Sequence, residues 1–181
     1  MGGTDVVVLV ERAQKGDSKD FDLLVKTFHT YTFKLIYYRV QNQSDSEDIT
    51  QDVFLQIYKN LGQLKDVTKF KSWLVKIAIN KIADFYRKRK FTVYLKRADN
   101  NDDQLGIYEN TEVQSNPYTK IETADFWNIV NSFLVKLPKM EKEVFMLRFM
   151  DQLTLNEIAS ALDKNENTIK THLYRALNKL K

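Results

Sequence analysis

Apolar residues in this chain recur at three- and four-residue spacing through two long blocks. In the first block, Leu23, Leu24, Thr27, Phe28, Tyr31, Leu35 and Tyr38 make one stripe. Ile49, Val53, Phe54, Ile57 and Leu61 make a second, and Phe70, Leu74, Ile77, Ala78, Ile82 and Phe85 a third. In the second block, Phe126, Ile129, Val130, Phe133 and Leu134 share a face, as do Ile169, Leu173, Ala176, Leu177 and Leu180. A period of 3.6 sustained in this way predicts an all-α chain. One segment is ambiguous. Residues 6–15 open on a β-branched run that suits a strand, but nothing is available to pair with it. A helix closed by Gly16-Asp17 is therefore expected.

Composition removes several classes of function. The 181 residues include 5 Gly and 2 Pro, too few for a Gly-rich phosphate cradle or a turn-dense β-sandwich. With no Cys there is no disulfide scaffold, thiol nucleophile or thiolate-bound metal. His29 and His172, the two histidines, lie far apart, so no His-based metal site is expected. No metal or cofactor is expected at all. No apolar run approaches the roughly 18 residues of a membrane span. The stretch 6–10 lacks the flanks of a signal peptide. A cytoplasmic protein without direct membrane insertion is the expectation.

The formal net charge of +4 is unevenly spread. Residues 1–90 hold 16 basic and 11 acidic side chains, residues 91–117 hold 2 and 5, and residues 118–181 hold 10 and 8. Two basic blocks thus flank an acidic, polar middle with no sustained period, which reads as a linker. The expected organisation is a domain over 1–94, a linker over 95–119 and a second domain over 120–181.

The stretch 44–58 carries four acids and no base. It opens on Ser44-x-x-Glu47, a capping-box pattern. At 100° per residue, Asp45, Asp48 and Asp52 fall together opposite the apolar arc, with Leu55 nearby. Such a face is either solvated or a docking surface for a basic partner. Thr68 can cap a following helix over about 69–90, on which Trp73, Ile77, Asn80 and Asp84 form a second stripe. Residues 81–97 hold seven bases and one acid. Some of that charge suits a helix C-terminus, but seven cations interleaved with Phe85, Tyr86, Phe91 and Tyr94 also suit nucleic acid. The charges meet phosphates and the rings meet unstacked bases.

In the second block, Pro138 suits the first turn of a helix carrying Val144, Phe145, Leu147, Arg148 and Phe149. Thr154-Leu155-Asn156-Glu157 is another capping box, with Ile158, Ala159 and Leu162 buried behind it. Asp163-Lys164-Asn165 then reads as a tight turn, and Asn165 as the cap of a last helix running to Lys181. Short helix, turn and second helix make a helix-turn-helix. Asp163 stands where that turn usually carries Gly. The last helix turns Asn167, Thr171, Tyr174, Arg175 and Asn178 outward, with Lys170 and His172 on its flanks. Amide, hydroxyl, aromatic and guanidinium groups of this kind can read base edges and hold phosphates in a major groove.

These motifs in order resemble the extracytoplasmic-function (ECF) sigma factors of bacterial RNA polymerase. Leu9-Val10-x4-Lys15-Gly16-Asp17-x3-Phe21-x2-Leu24 looks like the family's opening. Asp45-x-Glu47-Asp48-Ile49-x-Gln51-Asp52-Val53-Phe54 is similar to its polymerase-binding helix. Phe70-x2-Trp73-Leu74-x2-Ile77-Ala78-x-Asn80-x3-Asp84-x2-Arg87 is similar to its promoter-melting helix. Residues 137–181 resemble its last domain. The resemblance implies an all-α chain of two small domains on a flexible linker.

It further implies that Asp45, Asp48, Gln51, Asp52 and Leu55 dock on the clamp helices of the polymerase's largest subunit. Lys71, Trp73, Lys76, Asn80, Lys81 and Arg87, with the loop 62–69, would capture the non-template strand of the minus-ten element. Trp73 could stack on a base or pack in the core. Asn167, Thr168, Lys170, Thr171, His172, Tyr174 and Arg175 would read the minus-thirty-five element as duplex. The implied partners are core RNA polymerase (clamp helices and flap), promoter DNA both duplex and single-stranded, and an anti-sigma factor. No bond chemistry would belong to the chain itself. The rival reading is a stand-alone helix-turn-helix regulator, which leaves the acidic stripe and the helix of residues 70–87 without a task. A nucleic-acid enzyme is disfavoured further, because no Walker motif, paired-His box or nucleophile–base set is present.

Overall fold

The computed structural model describes residues 6–99 and 124–180, with side chains over 6–91 and 130–180. The regular structure among the described residues is all helical, with no strand among them: α1 (Val6–Gln14), α2 (Ser18–Val40), α3 (Gln43–Asn60), α4 (Phe70–Asp99), α5 (Ala124–Val135), α6 (Lys139–Phe149), α7 (Leu155–Leu162) and α8 (Glu166–Asn178). Two short 3-10 turns, Leu61–Gln63 and Val67–Lys69, join α3 to α4. The chain divides into two compact units. One takes in α1 to α3 and α4 from Ile77 onward; the other takes in α5 to α8, and Lys71–Lys76 groups with it.

In the first unit, the β-branched opening is helix, as the lack of a pairing strand requires. Gly16 follows at φ 93°, a left-handed conformation that favours glycine. The Asp17 carboxylate then caps α2 by accepting from the Lys19 and Asp20 amides. The buried seam of α2 is Leu24, Thr32, Leu35, Ile36 and Val40. It is rotated from the expected stripe, so that Leu23 is exposed and Tyr31 and Tyr38 are half-buried. Thr32 can lie inside because its hydroxyl donates to the Phe28 carbonyl at 2.8 Å.

Helix α3 begins earlier than Ser44 suggests. The cap is Asn42, whose carboxamide oxygen accepts from the Asp45 amide at 2.9 Å. Ser44 and Glu47 therefore form no capping box; Glu47 accepts instead from the Gln43 side chain at 3.0 Å. Asparagine caps as well as serine does, and Asn42 comes first. Ile49, Val53, Phe54, Ile57 and Leu61 are buried as the periodicity requires.

The entry to α4 also differs from expectation. Asp66, not Thr68, is the capping acceptor, at the 3-10 turn Val67–Lys69 that leads into the helix, and both the amide and the hydroxyl of Thr68 donate to it. These bonds, above all the hydroxyl's, hold the Asp66 carboxyl below the usual aspartate range. The helix then runs on to Asp99 instead of ending near Lys90. Lysine and arginine are good helix formers and no Gly or Pro interrupts this stretch, so the basic run continues the helix. Phe70, Leu74, Ile77, Ala78 and Ile82 are its buried side. Phe70 packs edge-to-face on Phe28 of α2, ring centres 5.2 Å apart.

In the second unit, Pro138 is the residue just before α6, one position earlier than expected. Val144, Met146 and Leu147 of α6 are buried, as are Leu153, Ile158, Ala161, Ile169 and Ala176. Lys179 donates to the buried Glu141 of α6 at 2.8 Å, tying the end of α8 back to the core. The Thr154–Glu157 capping box is present in full. Asp163 is the left-handed C-cap of α7, at φ 52° and ψ 47°, so aspartate takes the place and the conformation of the usual glycine. Asn165 caps α8, accepting from the Thr168 amide at 2.7 Å. The final helix ends at Asn178, before Lys181, which lies outside the described residues. Residues 100–117 of the acidic middle, and Tyr94 and Phe126 as side chains, also lie outside them.

Candidate polymerase and nucleic-acid interfaces

Burying the apolar arc of α3 forces its acids outward. Asp48, Gln51 and Asp52 are exposed and Asp45 is half-buried. Leu55 is 49% exposed among them, an apolar side chain left in water on a charged face. Beside it lies a groove of about 430 Å³ lined by Phe21, Val25, His29, Glu47, Gln51, Phe54, Leu55 and Tyr58. Phe21 meets Tyr58 edge-on at 5.0 Å, and His29 stacks on Phe54 at 6.2 Å. The α2 wall of this groove was not singled out from the sequence. Its signal is there: Phe21, Val25 and His29 stand at i, i+4 and i+8, an apolar and aromatic stripe beside the main seam. Acids around an apolar trough suit a basic amphipathic helix.

A second concavity, about 590 Å³ and polar, lies where α3 and α4 meet. It is lined by Gln56, Asn80, Lys81, Ala83, Asp84 and Arg87. Three of the six minus-ten candidates, Asn80, Lys81 and Arg87, are thus brought together. Lys71, Trp73 and Lys76 lie on the first two turns of α4 and do not line it. Gln56 and Asp84 join the site unforeseen as DNA-facing groups; both fall on it by helical spacing from residues already chosen. The cations here are not bare. Lys81 pairs with Asp52 of α3 at 3.6 Å, and Arg87 with Asp84 one turn earlier. Further along, Tyr86 donates to the Arg39 carbonyl at 2.7 Å, securing the basic end of α4 to the C-terminus of α2. Burial raises the Tyr86 phenol above its usual range. The loop before α4 is anchored at its root, because the Gln14 side chain donates to the carbonyls of Leu61 and Leu64 at 2.9 and 2.8 Å.

On α8, Ile169 and Ala176 are buried, whereas Asn167, Thr171, Tyr174, Arg175 and Asn178 are exposed together. Tyr174 is 66% exposed, which an aromatic ring in a solvated helix face rarely needs. Leu180, expected inside, is exposed beyond the helix end. The hydroxyls of Thr168 and Thr171 donate inward, to the Asn165 side chain at 2.7 Å and the Asn167 carbonyl at 2.9 Å. In this state they can only accept from a ligand. Lys170 is paired with Glu166 at 2.8 Å, and that hydrogen bond raises the lysine's pKa. Glu166 is the acid that the outward set omitted. His172 is half-buried, and its Nδ1 is enclosed without a partner among the described residues.

Among the described residues, no helix is long and apolar enough to cross a membrane. Two family models match the chain, sigma-70 region 2 over residues 24–92 and sigma-70 region 4 over residues 128–180. The ECF RNA polymerase sigma-E factor of Escherichia coli is 30% identical, the match covering 93% of this chain and 88% of that protein. The ECF RNA polymerase sigma factor SigW of Bacillus subtilis is 28% identical over 95% of this chain and 92% of its own. In fold, the chain is similar to the sigma factor RpoE of Bartonella quintana, solved with the anti-sigma factor NepR. That likeness has a TM-score of 0.68 at 20% identity over 90% of this chain and 94% of that one. With two sigma-70 regions in order and near full-length likeness to curated factors, the chain belongs to the ECF RNA polymerase sigma factors.

Proposed function

We propose that this sigma factor divides promoter recognition among three surfaces. The α3 face of Asp45, Asp48, Gln51, Asp52 and Leu55 docks on the clamp helices of core polymerase. The α4 set of Lys71, Trp73, Lys76, Asn80, Lys81 and Arg87 takes the non-template strand of the minus-ten element. The α8 set of Asn167, Thr168, Lys170, Thr171, His172, Tyr174 and Arg175 reads the minus-thirty-five duplex. Residues 1–94 and 120–181 are the working domains and 95–119 the tether. The second domain also meets the polymerase flap, and an anti-sigma factor holds the free protein inactive, as NepR accompanies the Bartonella quintana factor.

The observation that carries this reading is the polar pocket. It sets two amides, Gln56 and Asn80, beside Lys81 and Arg87 on the unit that also bears the acidic face. Amides can pair with a base edge, and the flanking cations with its phosphates. Taking a base out of its stack costs a few kcal/mol, which such contacts can offset. A stand-alone operator-binding regulator would use α8 alone and leave this pocket idle, and family membership does not favour it.

The test is run-off transcription with purified core polymerase on a promoter library. Start sites should appear only with the protein and be lost on charge reversal at Asp48 and Asp52. Asn80→Ala should cost about 1–3 kcal/mol of minus-ten discrimination while leaving core binding intact. Tight duplex binding by the free protein, with no binding to core, would overturn the reading.

A further inference from the structure

The ion pair between Asp52 and Lys81 joins two surfaces that the proposed function keeps separate. Asp52 projects from the acidic face of α3 and is 60% exposed, reachable by a partner. Lys81 is 27% exposed, lines the polar pocket, and lies 3.6 Å from the Asp52 carboxylate. A carboxylate at that range cancels much of the field a phosphate would feel from the ammonium. A cation on a docking partner draws on the same carboxylate and so weakens its hold on the lysine. One acid thus faces two competing cations, one within the chain and one outside it.

We infer that Asp52 is a positioning residue that restrains Lys81 in the free factor, and that a basic partner docking on α3 releases the lysine to a DNA strand. This rests on the reading of α3 as the polymerase face and of the pocket as a strand site. The coupling is thermodynamically reciprocal: whatever factor docking adds to strand affinity, the strand adds to docking affinity. Its size is that of an exposed ion pair, so the factor is small. It acts at every promoter, because it touches charge and not sequence. Arg87 carries no equivalent coupling, since its partner Asp84 stands on the same helix, inside the pocket.

The experiment titrates the full chain into a short, mixed-sequence, fluorescent single-stranded DNA over a series of salt concentrations. Asp52→Asn should bind about two- to fivefold more tightly than wild type. Its dependence of log K on log salt should steepen by up to about 0.7, the share of one added phosphate contact on a single strand. Asp22→Asn removes an exposed carboxylate of α2 outside both sites and should change neither quantity. In a Lys81→Met background, Asp52→Asn should bring no gain. In holoenzyme separated from free factor, so that weakened docking is excluded, photocrosslinking of the strand per core-bound factor should be equal for wild type and Asp52→Asn. No gain in Asp52→Asn, an equal gain in Asp22→Asn, a gain that survives Lys81→Met, or one that persists in holoenzyme would each overturn the inference. If Lys81→Met crosslinks to the strand in holoenzyme as well as wild type does, the reading of the pocket as a strand site fails instead.

Discussion

Tyr86 shows how one side chain ties local chemistry to the placement of a functional segment. Its hydroxyl can donate to the Arg39 carbonyl only while protonated. Burial raises its pKa in the folded state above the ordinary value near 10. The sign follows from linkage. Its stabilisation is complete below the ordinary tyrosine range and is lost as pH climbs through the raised folded value. Thermal unfolding followed from pH 8 to 11 should therefore fall more steeply for wild type than for Tyr86→Phe, and parallel curves would remove the role. At neutral pH the variant should lose about 0.5–1.5 kcal/mol, the worth of one hydrogen bond. Two helix ends allow a comparison of left-handed residues. Gln41 caps α2 at φ 54° and Asp163 caps α7 at φ 52°. Aspartate tolerates that conformation better than glutamine does. Gln41→Gly should thus stabilise the protein by about 1 kcal/mol and Asp163→Gly by less, as read from chemical denaturation.

Among the elements, helices were legible wherever an apolar arc had to be buried, and less so where local bonds set a boundary. Val53, Ile57, Ile77 and Ile169 lie inside because their period leaves no other face. The caps of α3 and of the 3-10 turn before α4 were misplaced because Asn42 and Asp66 compete with Ser44 and Thr68 for the same task, and sequence does not rank neighbouring caps. The far end of α4 was missed because its basic residues are good helix formers and carry no stop signal. At the sites, the acid stripe and the outward face of α8 followed from the wheel alone. The pairing of Lys81 with Asp52 did not, since it depends on how α3 and α4 pack. The capping box on α7 was readable because both its members sit on one turn. Thr154→Ala should cost about 1 kcal/mol of stability, measurable by urea unfolding, since the Glu157 amide loses its acceptor.

Over the whole molecule, the proposed division of labour makes recognition a matter of spacing as well as sequence. Two weak contacts held by one polymerase reinforce each other through effective concentration only when both can be made at once. Lengthening or shortening the promoter spacer by a few base pairs should then cut run-off product sharply. Binding of the isolated minus-thirty-five duplex should not change. Equal initiation across spacers would argue that a single element suffices. The pairing of DNA-facing cations has a bearing on how such a factor finds its target. Lys81, Arg87 and Lys170 each lean on a carboxylate of their own chain, Asp52, Asp84 and Glu166. A chromosome offers on the order of a million or more competing sites to anything basic. A factor whose cations are already occupied is held less by that excess and spends more of its time free to meet a polymerase.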